Sequence, residues 1–216
     1  MHLLFDLDGT LTDSGPGIVN CVNHALVELG HAAVAEAEIR GMIGAPLSRI
    51  FPRLFGSEDT SLVDRAIAAY RARFDEVGIF ENELYPGIAD ALQALGDGGH
   101  TLQVVTAKPA VTARRVVEHF RIQHHFAALH GPELDQRTCD KADLVAAALR
   151  YAGGLDETVV MIGDRRDDVL AARAHGVTAV GAGWGYGSPD ELAAAGAVFV
   201  ARDVSALMEW IRPMTE

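Results

Sequence analysis

Four short apolar runs recur along the chain with helical patterns between them: Leu3-Leu4-Phe5, Leu102-Gln103-Val104-Val105, Val159-Val160-Met161-Ile162 and Thr178-Ala179-Val180. They alternate little between apolar and polar residues. A strand that faces water on one side alternates, whereas a strand covered on both sides does not. The runs therefore predict parallel strands in a sheet with helices on both faces, a doubly wound, Rossmann-like α/β core. The intervening stretches agree. Pro109 reads as a first helical residue, with Val116, Val117 and Phe120 on one face. Leu144, Val145, Ala148, Leu149 and Ala152 form a second stripe ended by Gly153, and Leu170 and Ala174 lead to Gly176. A chain of 216 residues holds one such domain with room for a small insert.

Residues 15–82 break the rhythm. Ile18, Cys21, Val22, Ala25, Leu26 and Leu29 follow helical spacing up to Gly30. Leu47, Ile50, Phe51, Leu54 and Phe55 suggest a second helix, interrupted near Pro52. Leu62, Ala66, Ile67, Tyr70, Phe74 and Val77 make a third, closed by Gly78. No strand-like run occurs here. The expected organisation is an α/β core of residues 1–14 and 83–216, with an all-helical segment, 15–82, inserted after the first strand.

A formal charge of -12 repels nucleic-acid backbones and anionic bilayers, so neither is expected as a partner. The first residues carry no basic region followed by an apolar stretch, and no run approaches the roughly 18 apolar residues of a membrane span, so a cytoplasmic protein is expected. Cys21 and Cys139 have no metal-type spacing and read as free thiols.

The chemistry gathers where strands end. Asp6-Leu7-Asp8-Gly9-Thr10 follows the first run, and period 2 places Asp6 and Asp8 on one side. Two carboxylates that close need a compensating charge, usually a cation. Gly163-Asp164-Arg165-Arg166-Asp167-Asp168 follows another run. If a helix begins there, Asp164 and Asp168 share a face at its N-terminal end. Thr106 stands at the mouth of a helix, where a hydroxyl and free N–H groups suit an anion. Lys141 opens another helix, against the macrodipole. Singly, these are an acidic turn, a helix cap, an N-cap threonine and a surface lysine. Together they set four carboxylates, a hydroxyl and an ammonium on one edge of one sheet.

In this order the motifs resemble the haloacid dehalogenase superfamily, on the branch with a small helical cap after the first strand. The likeness covers nearly the whole chain. Thr106-Ala107-Lys108-Pro109 and Ile43-Gly44-x-Pro46-Leu47 look like phosphoglycolate phosphatases and related 5′-nucleotidases. The family pattern usually has Asn where this chain has Ala107. The resemblance implies a Mg2+-dependent phosphatase for a small phosphate monoester. Asp6 would be nucleophile and metal ligand, and Asp8 the general acid and base, giving the metal its backbone carbonyl. Asp164 and Asp168 would complete or support the metal site. Thr106, Ala107, Gly9, Thr10 and Lys141 would hold the phosphate. The cap would exclude water and read the rest of the substrate, with Arg40, Arg49 and Arg53 as candidates. The protein is expected as a monomer or dimer.

Other readings stand beside this one. A phosphosugar mutase shares both aspartates. A signalling receiver domain also sets a Thr and a Lys around a phosphoaspartate, but is about half this length. A silent scaffold would have lost one of these residues. A phosphonatase needs a cap lysine, and residues 15–82 contain none. Gly181-Ala182-Gly183-Trp184-Gly185-Tyr186-Gly187 has Tyr186 where a dinucleotide fingerprint needs glycine, and reads as a loop near the site, with Trp184 as packing.

Overall fold

The computed structural model describes residues 1–134, 136, 140–153 and 158–212; Cys139 lies outside them. Its main sheet has six parallel strands: β1 (His2–Phe5), β4 (Thr101–Val105), β5 (Phe126–His130), β6 (Val159–Gly163), β7 (Thr178–Ala182) and β8 (Phe199–Ala201). Their spatial order is β5-β4-β1-β6-β7-β8. β1 is central, with Leu3 opposite both Leu102 and Val160. The order reverses at β1, so crossovers leave it in both directions and open a crevice at the carboxyl ends of the strands.

Alternate side chains of β1 feed two apolar clusters. Leu3 and Phe5 join the one built with α5 (Ile88–Asp97), α6 (Ala110–His119) and α10 (Val204–Ile211). Leu4 joins the one built with α7 (Lys141–Tyr151), α8 (Arg166–Ala174) and α9 (Pro189–Ala195). Both faces are covered, which is why the strands carry apolar runs without alternation. The edge strands β5 and β8 were not expected. Their residues are mostly half-buried, so their runs lack the unbroken apolar character of the central strands.

Between β1 and α5 the chain forms α1 (Gly15–Glu28), α2 (Glu36–Arg40), α3 (Leu47–Phe55) and α4 (Thr60–Glu76). A two-stranded antiparallel ladder, β2 (Thr12–Asp13) with β3 (Glu83–Leu84), brings the two ends of this stretch together. The expected interruption of α3 at Pro52 does not occur. A helix-interior proline costs about 3 kcal/mol. Phe51, fully buried beside it, is of the kind whose truncation to alanine costs about 3–5 kcal/mol, so packing outweighs the lost backbone bond. Phe51 meets Tyr70 edge-on at 6.5 Å between ring centroids, and Tyr70 stacks on Phe74 at 5.6 Å. One apolar cluster runs unbroken from the sheet into these helices. No described helix is long and apolar enough to cross a membrane.

Candidate active site

Asp6 leaves the end of β1 with its N–H donated to the Ile162 carbonyl at 2.9 Å. The residues after Ile162 are Gly163 and Asp164, so the central strand pairing alone brings two distant acidic segments together. Beyond Asp6 the chain turns tightly, with Leu11 and Thr12 both donating to the Leu7 carbonyl. Gly9 has φ +87°, a left-handed value open to glycine. A Cβ there would also strike the Asp164 carboxylate.

Asp164 and Asp168 do not share a helix. Arg165 is the extended residue that turns the chain from β6 into α8, so Asp164 stays in the turn and Asp168 lies in the first helical turn. There Asp168 Oδ2 accepts from the Arg165 N–H at 2.9 Å. Asp164 Oδ2 accepts from the Tyr186 N–H at 2.7 Å, and Oδ1 from the Thr10 hydroxyl at 3.4 Å. The glycine-rich loop closes the far side, where a Cβ on Gly185 would meet the Asp164 side chain and the Gly9 carbonyl. Trp184 does more than pack, since its indole N–H donates to the Thr10 carbonyl at 3.0 Å.

Asp6, Asp164 and Asp168 each offer a carboxylate oxygen within 4.8 Å of the others, and all three are buried. Burial, with Asp168 and Asp8 nearby, pushes the Asp6 carboxyl well above its ordinary range although Lys141 pulls it down. Burial does the same to Asp164, reinforced by Asp168 and Asp6. The Lys141 ammonium, at the first residue of α7, reaches Asp6 Oδ1 at 2.9 Å and also contacts Asp168 Oδ1. Burial would drive its proton off, but the two carboxylates outweigh this and hold it charged. One ammonium against three carboxylates leaves two negative charges uncompensated. A hard divalent cation with oxygen ligands fits that deficit and that donor set.

Above this cluster lies a cavity of about 390 Å³. Asp6, Asp8, Thr106, Ala107, Lys108 and Lys141 line its core side, and the helical segment supplies a largely apolar roof that includes Ile43, Leu47, Tyr70 and Phe74. Gly9 and Thr10 are not on its wall. Their N–H groups close the turn onto Thr12 and Leu7. The Thr106 N–H is likewise used, donating to the His130 carbonyl at 2.9 Å, so Thr106 offers the cavity its hydroxyl. Arg40 is engaged with Asp13 and Glu36, and Arg49 and Arg53 line a separate shallow hollow.

Two residues escaped the sequence reading. Lys108 places its ammonium 3.0 Å from Asp8 Oδ2, with side chains only 7% and 14% exposed. The signal was available, since Lys108 precedes a helix and opposes its dipole as Lys141 does. Tyr186 supports Asp164 through its backbone and donates its hydroxyl to Asp13 at 2.8 Å, pairings that no local spacing reveals.

The family profile described as haloacid dehalogenase-like hydrolase matches residues 3–182. A 5′-nucleotidase of Pseudomonas aeruginosa is 40% identical over 208 residues, covering 96% of this chain and 94% of that protein. The tyrosine-protein kinase PtkA of Mycobacterium tuberculosis is 42% identical over 188 residues, covering 87% of this chain and 64% of that longer protein. A crystal structure described as a predicted phosphatase from Clostridium acetobutylicum superposes with a TM-score of 0.91 at 35% identity, covering 98% of both chains.

Proposed function

The chain belongs to the haloacid dehalogenase-like hydrolases, and from that membership we propose that it is a magnesium-dependent phosphatase acting on a small phosphate monoester through a phosphoaspartate on Asp6. The observation that carries this reading is the buried Asp6, Asp164 and Asp168 cluster bridged by Lys141 and open, through Asp6, to a substrate-sized cavity.

Asp6, Asp164 and Asp168, with the Asp8 carbonyl, would hold the magnesium. The bound ion would offset carboxylate and phosphate charge that otherwise repel. Asp6 attacks phosphorus, the ester P–O bond breaks, and Asp8 gives its proton to the departing alkoxide. Asp8 then takes a proton from water, which attacks the phosphoaspartate, releases phosphate and restores Asp6. Lys141 holds Asp6 in line and keeps Asp168 in place. The Thr106 hydroxyl and the Ala107 backbone contact phosphate oxygens, while Gly9 and Thr10 shape the turn that carries Asp8. Residues 15–82 act as a cap over a core of 1–14 and 83–216, with the β2–β3 ladder as the joint. The relatives' names point to two leaving groups or acceptors, a nucleoside and a tyrosine hydroxyl. Phosphotransfer is the second reading, differing only in which hydroxyl takes the phosphoryl group from Asp6.

The test is phosphate release from a panel of nucleotides, sugar phosphates and phosphoglycolate. Release should require magnesium, stop in excess chelator, and vanish in Asp6→Asn. Full activity in chelator, or in Asp6→Asn, rejects the reading. Transfer to a tyrosine peptide in place of release favours the second.

A further inference from the structure

Lys108 belongs to the loop between β4 and α6, on the core. Among the described residues its buried ammonium pairs with one anion, Asp8 Oδ2 at 3.0 Å, and it sits over the ring of Phe74 at 4.7 Å from the centroid. Phe74 lies on α4, within the helical segment, and is buried. One side chain therefore touches both the proposed acid and the roof above it. The other Asp8 oxygen, Oδ1, is buried without a hydrogen-bond partner, so Lys108 is what fixes the carboxyl on one side and leaves the other oxygen for a leaving group.

The Phe74 face does two things for Lys108. It attracts the ammonium, and it excludes the water that would otherwise compete with Asp8 for it. If the helical segment lifts, Lys108 gains water and loses its platform, and its hold on Asp8 loosens. We propose that Lys108 is a positioning residue that couples the orientation of Asp8 to closure of the helical segment, through Phe74. The acid is then aligned only when the cavity is shut against bulk water. This rests on the phosphatase reading, with Asp8 as the acid.

The experiment measures first-turnover alcohol release and KM for an alkyl and an aryl phosphate in saturating magnesium. The variants are Lys108→Met, Lys108→Arg, Phe74→Leu and the Lys108→Met/Phe74→Leu pair. A misplaced catalytic group typically costs about 10²-fold, so Lys108→Met should slow the alkyl ester by about that factor. The aryl ester, which leaves without a proton, should slow far less, and KM should change little. Lys108→Arg should recover part of the rate, since a guanidinium also pairs with a carboxylate and stacks on a ring. Phe74→Leu should give a smaller loss of the same pattern, and the double variant should be no slower than Lys108→Met, as expected of one coupled unit.

A raised KM with an unchanged rate would overturn the proposal and make Lys108 a substrate-binding cation. Equal loss on both esters would make it structural. Lys108→Met damaging turnover while Phe74→Leu matches wild type would remove the coupling to the helical segment. An inactive wild type would sink the phosphatase reading itself, whereas an active, Asp6-dependent wild type with unaffected variants would sink this inference alone.

Discussion

A departing alkoxide needs a proton, and the water that follows must lose one. The proposed mechanism assigns both transfers to Asp8, whose carboxyl lines the cavity beside Asp6 but stands apart from the Asp6, Asp164 and Asp168 cluster. Asp8→Asn should therefore slow alkyl phosphates by about 10²–10⁴-fold, the usual worth of general acid–base help. Aryl phosphates should complete the first step and then stall, so that intact mass shows the protein heavier by one phosphoryl group. Equal slowing of both esters with no such species would make Asp8 a structural residue. At this scale the sequence was most readable, because the candidate carboxylates and hydroxyl stand by residue type where strands end, and the ammonium where a helix begins. What it hid is pairing. Asp8 and Lys108 meet because β1 lies beside β4, and that adjacency is a property of the sheet, invisible to local spacing.

Elements explain the support around the site. The glycine-rich stretch after β7 reads from sequence as a loop near the cluster, and the structure gives the reason for its glycines. Asp164 occupies a slot between Gly9 and Gly185, with the Tyr186 N–H closing it. Gly185→Ala should push Asp164 out of register while the loop stays folded. Changes behind a metal ligand typically cost about 10–100-fold in metal affinity. The magnesium concentration for half-maximal activity should rise by that order, with the rate at saturating magnesium largely kept. An unchanged magnesium requirement would show that the slot does not position Asp164. The central strands and long helices were legible because burial on two faces, or on one helical stripe, imposes a period. The short pieces were not. β2 and β3 span two residues each and β5 and β8 sit at sheet edges, so none carries enough buried residues to set a pattern. α3 ran through Pro52 because the burial of Ile50 and Phe51 is a tertiary effect, absent from the local rule about proline.

For the whole molecule, the consequence of storing three buried carboxylates against one ammonium is a stability that should depend on pH and, under the proposed function, on metal. The Asp6 carboxyl is raised from an ordinary 3.8 to about 7, first by burial, and Asp164 is raised as well. Between those limits the folded chain holds protons that the unfolded chain has released. Stability therefore falls as pH rises through this window when no metal is present. Under the proposed function magnesium would replace the protons as the compensating charge and bind the folded arrangement, so its stabilising effect should grow over the same window. Melting curves in chelator should show Tm dropping from about pH 4 to about pH 7, and the gain on adding magnesium should be larger at the upper end. Part of the drop would occur in any chain of net charge -12, through general self-repulsion. Asp6→Asn separates the two, because it removes one charge in many but one of the carboxyls that burial in the cluster pushes up. That variant should lose part of the slope in chelator and most of the magnesium gain. If its slope and its magnesium gain match wild type, the acidic cluster is not the source of the pH dependence, and the metal is held elsewhere.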